Sequence, residues 1–464
     1  LSDSWHPGVN VAELTHVGMR RANNQDSYAV MVAKSEDRFD RRGHLFVVAD
    51  GMGAHAAGEL ASKIACEQIA MRYIGSQESD VGQALGEAVH QANTAIFERG
   101  QSNPEFHNMG TTASSLVLVQ GRGYVAQVGD SRVYRLRNGL LEQLTFDHSL
   151  VWEMEASGQV SSDSPLGKAI PKNVITRSLG PGAHVMVDLE GPFSLELGDR
   201  YLLCSDGLTG LVEDEDLGVL MDSLPLEKLT PVLVDLANLR GGPDNITVIA
   251  VDVTSENLID PSPAPKNASS SEGFRWSSVH SSSSLLAATT VCWLGAIGLA
   301  IAAYSGGSKW AGSAIVAFLL GAISLGIWAS GVLVTDDRRR PLSVRRRHSS
   351  KHADQPVQGS YDSGLKASEI AAGTGPYRHY PVDQHKAVFE RLVEVVSEIH
   401  RSSEQHHWDL DWSGVDVFSS QASDAAAAGN WKSAIEHECD AALQAMTLLR
   451  KQQDDSASDT AVDL

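Results

Sequence analysis

Five aspartates in this 464-residue chain stand where apolar runs give way to loops. They are Asp26 in Arg21-Ala-Asn-Asn-Gln-Asp26, Asp50 in Val47-Val-Ala-Asp50-Gly-Met-Gly53, and Asp130, Asp206 and Asp244. Carboxylates that converge from several strand ends build a site made of oxygen alone. Hard divalent cations want such a site: Mg²⁺ and Mn²⁺ take carboxylates, carbonyls and waters, whereas zinc would draw His or Cys. Gly51 and Gly207 each follow one of these aspartates, and a missing Cβ lets a carbonyl or a substrate come close. One Asp-Gly alone reads equally as a turn, so the metal reading rests on the set.

Positioning those carboxylates falls to the strand-length apolar runs 45–49, 115–119, 124–128, 201–204 and 246–253, rich in Val, Ile and aromatics. Between the first two, Leu60, Ile64, Cys66 and Ile69, then Leu85, Val89, Ala92 and Ile96, follow helical spacing. Two successive helices flanked by runs of strands do not make the alternation of a doubly wound parallel sheet. A layered α+β sandwich over residues 9–253 is the expected domain.

The remaining chain reads in pieces. Residues 254–284 are rich in Pro, Ser and Asn and read as a linker. Stretches 285–304 and 310–334 carry no charge, and about twenty helical residues cross about 30 Å of hydrocarbon, so a two-helix transmembrane hairpin is expected. Arg338 to Arg340 and Arg345 to Arg347 follow at once; positive charge marks the cytoplasmic side, which places both flanking domains in the cytoplasm. Residues 335–384 read as a basic and then polar linker, 385–451 as a small α-helical module, and 452–464 as a disordered tail. In the module, Val388, Leu392, Val395, Val396 and Ile399 form one stripe, and a second helix from Trp431 offers Ile435, Ala442, Met446 and Leu449. The spacing of Ala422, Gly429, Trp431, Ala434 and Ala441 resembles one tetratricopeptide-like hairpin, although Glu438 stands where such repeats put an apolar residue.

A net charge of -21 with a pI near 5.2 argues against nucleic acid as a partner. The four cysteines, Cys66, Cys204, Cys292 and Cys439, lie far apart; they signal neither a disulfide framework nor zinc, and buried reduced thiols are expected. Residues 1–10 show no basic region followed by an apolar one, so no secretory signal is read.

Eight stretches, in order, carry a resemblance to the PPM (type 2C) family of metal-dependent serine/threonine protein phosphatases, of the bacterial kind. They are Gly18-Met-Arg-Arg-Ala-Asn-Asn-Gln-Asp26, Asp50-Gly-Met-Gly-Ala-His-Ala-Ala-Gly-Glu59, Met109-Gly-Thr-Thr112, Val128-Gly-Asp-Ser-Arg132, Leu144-Thr-Phe-Asp-His-Ser149, Ile175-Thr-Arg-Ser-Leu-Gly180, Cys204-Ser-Asp-Gly-Leu-Thr-Gly210 and Gly241-Gly-Pro-Asp-Asn-Ile-Thr247. The resemblance implies a four-layer αββα sandwich whose cleft holds two Mn²⁺ or Mg²⁺ ions. Asp50 would bridge them, Gly51 would offer its carbonyl, Asp206 and Asp244 would complete one ion, and Asp26 would hold bound waters. Asp130 with Asp206 matches the family's site for a third, weaker ion. Arg21 matches the arginine that grips the phosphate, for which its planar fork is suited.

The implied reaction is attack of a metal-bridging hydroxide on phosphoserine or phosphothreonine, in line with the leaving oxygen. That alkoxide needs an acid. Many eukaryotic members place a histidine directly after the Asp-Gly, where this chain has Met52; His55 is the nearby candidate, and a structural role for it stays open. Ala54 replaces the third glycine of the usual Gly-Met-Gly-Gly-His. Phosphorylated proteins and a serine/threonine kinase system are the implied partners. A membrane-anchored pseudophosphatase or phosphoprotein-binding scaffold is the alternative, opposed by the intact Asp26, Asp50, Asp206 and Asp244. The aspartyl-phosphate class needs a second Asp two residues after the nucleophile, and Asp50-Gly-Met lacks it.

Overall fold

The computed structural model describes residues 5–53, 56–161, 164, 167, 169–171, 173–259, 370–373, 375–408 and 410–461. His55, Cys292, the stretches 285–304 and 310–334, the arginines at 338–347 and most of the 254–284 linker lie outside them. The chain divides into one unit of Leu1–Ala264 with Ser363–Leu464 and another of Pro265–Asp362, which falls outside the described residues.

Two sheets form the centre of the first unit. One runs β1 (Val9–His16), β11 (Ile246–Val253), β10 (Arg200–Cys204), β7 (Arg132–Arg137), β8 (Leu140–Gln143) and β13 (Arg378–Pro381). The other runs β12 (Ile370–Ala372), β9 (Val187–Ser194), β6 (Arg122–Val128), β5 (Ala113–Val119), β3 (His44–Met52) and β2 (Asp26–Met31), with β4 (Gly110–Thr111) on the end of β3. All five apolar runs expected to be strands are strands.

Alternation along the strands sorts side chains into layers, because successive residues point to opposite faces. Phe46, Val48, Leu116 and Leu118 meet Tyr201, Leu203, Ile249 and Val251 between the sheets. Leu45, Val47 and Ala49 face the other way, onto α2 (Ala57–Gly75) and α3 (Val81–Ser102). Leu202, Cys204, Val248 and Ala250 face α6 (Asp214–Ser223) and α7 (Leu226–Leu239). The layers are therefore helix, sheet, sheet, helix. Helix α3 starts where it does because Asp80 caps it, its carboxylate accepting from the Gln83 backbone N–H at 2.8 Å. Short helices α1 (Glu36–Arg42), α4 (Leu150–Ala156) and α5 (Asp206–Thr209) fill connections.

The C-terminal region differs from the sequence expectation in three ways. First, part of the expected 335–384 linker is strand: β12 pairs in parallel with β9, and β13 pairs antiparallel with β8, so each sheet receives an edge strand from beyond residue 369. Backbone pairing recruited these residues, and pairing leaves no apolar periodicity in a short edge strand. Second, the module has three helices, α8 (His385–Gln405), α9 (Ser413–Ala427) and α10 (Trp431–Ala461). The middle one was missed because its alanine-rich sequence carries few large apolar residues. Third, α10 continues to Ala461, into the expected disordered tail.

The module is also not self-contained. Val388, Phe389, Leu392, Ile435 and Cys439 join the core that includes Leu217, Leu229 and Leu233 of the outer helices. Val396, Ile399, Val415, Ala441 and Ala445 form a smaller core within the module. Lys228 pairs with Glu436 at 3.0 Å and Asp440 at 2.8 Å, and Lys432 with Asp222 at 2.8 Å. Such exposed pairs contribute little each, so the shared apolar core carries the docking. Cys66, Cys204 and Cys439 are free and buried, as expected. Among the described residues, no helix is long and apolar enough to cross a membrane.

Candidate active site

Antiparallel pairing sets Asp26 directly opposite Asp50, because β2 begins where β3 is about to end. Asp206 opens α5 immediately after β10, Asp244 lies just before β11, and Asp130 lies in the turn between β6 and β7. One end of the sandwich thus collects all five. Two of the glycines read from the sequence are required here. A Cβ on Gly51 would strike the Gly58 and Gln25 carbonyl oxygens, and one on Gly207 would strike that of Asn245.

Neighbouring polar groups fix this frame. Thr112 Oγ1 accepts from the Asp50 backbone N–H at 2.9 Å, and Thr111 Oγ1 donates to the Asp50 carbonyl at 2.8 Å. Ser205 and Thr247 hydroxyls both donate to Asp26 Oδ2 at 2.8 Å. The Asn245 side-chain oxygen accepts from the Gln25 backbone N–H at 2.8 Å, tying the Asp26 segment to the Asp244 loop.

Three carboxylate oxygens, Asp26 Oδ1, Asp130 Oδ1 and Asp206 Oδ1, are buried without a donor. The Asp26 carboxyl is raised to about 7, by burial first and then by the charges of Asp206 and Asp244, with the two hydroxyls opposing the shift. Asp50 is raised well above the usual carboxylate range by burial and then by the charges of Asp26, Asp206 and Asp130. Asp130 and Asp206 are raised as well, burial again leading. Arg132 and Arg21 offset only part of the charge at Asp130 and Asp206; desolvated, mutually repelling carboxylates with orphaned oxygens call for a further counter-charge, and hard cations supply one. Among the described residues no group of three His, Cys, Asp or Glu side chains stands at ligating distance. The fit therefore rests on the orphaned oxygens and the pairwise convergence.

Asp130, Asp206 and Asp244 open into a cleft of about 520 Å³ that is lined also by Arg21, Arg132, Trp152, Glu155 and Arg378; Asp26 and Asp50 are not among its lining residues. A larger cavity of about 690 Å³, around Arg42 and Ser76, contains none of the five aspartates. Arg21 stands at the rim, 47% exposed, its Nη2 donating to Asp244 Oδ2 at 2.7 Å and its Nε to the Pro243 carbonyl at 3.3 Å. His55 lies outside the described residues; Met52, which directly follows Asp50 and Gly51, pairs with Gly110.

Arg132, Asp147, Trp152, Glu155 and Arg378 also line this cleft and carry no expectation from the sequence. Arg132 is gripped by Asp147 at 2.7 Å, and its guanidinium lies 5.7 Å from the Trp152 ring centroid. Arg132 and Asp147 sat inside stretches singled out for the resemblance, so a signal existed. Trp152, on α4, fell just beyond one such stretch. Arg378 had no local signal, being a lone arginine in what reads as linker.

Residues 18–235 match the family described as "Protein phosphatase 2C". The protein phosphatase PhpP of Streptococcus pneumoniae is 35% identical over 254 residues, covering 54% of this chain and 99% of that protein. The serine/threonine phosphatase PstP/Ppp of Mycobacterium tuberculosis has a crystal structure that matches with 33% identity and a TM-score of 0.48, covering 53% of this chain and 99% of that one. A crystal of the PstP catalytic domain in complex with two manganese ions matches with 34% identity and a TM-score of 0.47, covering 53% and 99%.

Proposed function

The chain belongs to the protein phosphatase 2C family and is a protein serine/threonine phosphatase; on that premise we propose that its aspartate-lined cleft hydrolyses phosphoserine and phosphothreonine on proteins, in an enzyme anchored to a membrane. The observation that carries the site assignment is the set of orphaned, mutually repelling carboxylates at one end of the sandwich.

The enzyme takes Mn²⁺ or Mg²⁺. Asp50, the Gly51 carbonyl, Asp206 and Asp244 would hold two ions, Asp26 would order their waters, and Asp130 with Asp206 would hold a third. Bound there, the cations supply Lewis acidity toward water and the phosphoryl oxygens. Arg21 grips the phosphate: its rim position and exposure leave the guanidinium fork able to turn from Asp244 to two phosphoryl oxygens. Ser205, Thr247, Thr111 and Thr112 keep the carboxylates in register, so little reorganisation is needed as charge develops. His55 is the proposed acid toward the leaving oxygen, a role that rests on its place in the sequence.

Two apolar, uncharged stretches, 285–304 and 310–334, support the membrane anchor. The return of the chain supports an even number of crossings. Residues up to 259 and from 370 onward build the same two sheets, so both ends of the intervening segment lie on one side. The arginines at 338–347 make that side the cytoplasm. Phosphorylated proteins, and the kinase system that makes them, are the proposed partners.

Hydrolysis of a phosphothreonine peptide and of p-nitrophenyl phosphate, each with Mn²⁺, with Mg²⁺ and with EDTA, tests the reading. Turnover should require the metal, and full activity in EDTA would overturn the site. In the same assay His55→Ala should lose more on the peptide than on the aryl ester, whose leaving group needs little protonation; equal losses would remove His55 from the role.

A further inference from the structure

We infer that Arg378, delivered from beyond the 260–369 segment, is a positioning residue of the substrate cleft: it holds α4 in place as the cleft wall, so the catalytic site is completed by the C-terminal part of the chain. The inference rests on the phosphatase reading and deepens it. Its ground is a juxtaposition of residues more than two hundred positions apart. The Arg378 guanidinium lies 3.7 Å from the centroid of the Trp152 ring, and its Nη2 donates to Glu155 Oε2 at 2.6 Å. Both partners belong to α4, and Trp152, Glu155 and Arg378 all line the aspartate cleft.

Arg378 is itself firmly held. Its backbone pairs with Gln143 on β8, and the Gln143 amide donates to Asp147 Oδ1 at 2.8 Å. Asp147 grips Arg132 beside Trp152, so α4 is bracketed by one arginine from each part of the chain. The preceding residues are anchored on the other sheet. Tyr377 Oη donates to the buried Glu190 at 2.5 Å, the Gly375 backbone N–H donates to the same carboxylate at 2.9 Å, and the Tyr377 ring meets Phe146 edge-on at 5.5 Å. At Gly373 any Cβ would collide with that carboxylate, which shows how closely the segment is seated. With both ends fixed, the Arg378 side chain can hold α4 without much entropy to lose on forming the contact.

A seven-residue helix has little stability of its own, so its placement depends on such contacts. A phosphorylated protein presents flanking residues to the cleft wall, whereas an aryl phosphate reaches little beyond the metal centre. Loss of Arg378 should therefore appear mainly in KM for the extended substrate.

The test uses the full-length chain with Mn²⁺, comparing wild type, Arg378→Ala, Arg378→Lys and, as a control in the same C-terminal region, Lys432→Ala. The expected result for Arg378→Ala is a KM for a phosphothreonine peptide raised about threefold to tenfold, the range set by a partly exposed cation–π contact. The rise for p-nitrophenyl phosphate should be smaller, and kcat should change less than KM on both. Arg378→Lys should restore part of the peptide KM, because an ammonium keeps the charge toward Trp152 and Glu155; Lys432→Ala should match wild type. An unchanged peptide KM in Arg378→Ala would overturn the inference, as would equal losses on both substrates that lysine fails to recover. A wild-type chain inactive on both substrates with Mn²⁺ would overturn the phosphatase reading itself, and the inference with it.

Discussion

Asp26 and Asp50 face each other across one antiparallel pair, and the neighbouring charges that act on both are those of other aspartates. The charge concentrated by Asp50, Asp130 and Asp206 opposes folding whenever the cleft lacks a counter-ion. Asp50→Asn is therefore expected to cut turnover about a thousandfold or more while raising the melting temperature of metal-free protein by a few degrees, about 3–6 °C. Calorimetry with and without Mn²⁺ checks the pairing, since wild type should gain more from the ion than the variant does. A variant less stable than wild type without metal would contradict the account. Glu438 is a second residue whose charge sits badly. It is 1% exposed between helices of the C-terminal region, its Oε1 accepts only a 3.4 Å bond from Ser419, and its Oε2 has no donor. Burial pushes its carboxyl up from 4.5 to about 7. The folded state thus holds this proton more tightly than the unfolded chain, so the contribution of Glu438 to stability falls as pH rises from about 4.5 to about 7 and is flat outside that window. Glu438→Gln should equal wild type at pH 4.5 and exceed it by roughly 1–3 kcal/mol at pH 8, read from denaturant melts. Parallel pH profiles for the two proteins would refute this.

Among the elements, α8 shows most clearly how a stripe can have a different partner from the one its own region suggests. Val388, Leu392, Val396 and Ile399 do face α10, as their spacing demands, but Leu392 and Phe389 also enter the core built on α6 and α7. The stripe that reads as belonging to a separate interaction module is thus shared: Val388 and Leu392 lie in the core common to the catalytic domain, and Val396 and Ile399 in the module's own. Leu392→Asp, which places a charge at a 3% exposed position, should lower the stability of the whole described unit by about 3–5 kcal/mol. Urea melts followed by far-ultraviolet circular dichroism and by phosphatase activity should shift together. An activity melt left at its wild-type midpoint would mean that the two parts are energetically separate. The α9–α10 hairpin resembling a tetratricopeptide unit turns at Gly429, φ +76°, with Ala422, Ala434 and Ala441 fully buried where the helices meet. Its lack of neighbouring repeats is made good by α8 and the catalytic domain, which cover the face a lone hairpin would leave wet.

At the scale of the molecule, the intervening segment departs from one sheet system and returns to the same one. Strand β11 ends at Val253, and β12 and β13 become the new edge strand of one sheet each. At 3 and 4 residues they are short edges, which make poor templates for strand-to-strand aggregation. Their pairing also means that the proposed anchor within 260–369 would be tethered to the catalytic unit at both of its ends. Reporter fusions placed before Leu285 and after Thr335 should both read cytoplasmic in a two-span anchor; opposite readings would require an odd number of spans.

What the sequence determined by itself was what depends on local order. The five aspartates could be singled out as a set because each stands where an apolar run gives way to a loop, although one Asp-Gly alone reads equally as a turn. The five strands were legible as continuous apolar runs, buried on both faces, and the two long helices by the helical spacing of their apolar residues; the layered α+β arrangement followed from the succession of those elements. Only the tertiary structure decided which distant pieces meet. Arg378 against Trp152, Glu190 beneath Tyr377 and Leu392 within the core of α6 and α7 are contacts between residues at least one hundred and fifty positions apart. Edge-strand pairing is made by backbone groups common to every sequence, and a lone arginine looks the same in a linker as in a cleft. No local pattern encodes such contacts, so they became visible only when the chain returned to its own sheets.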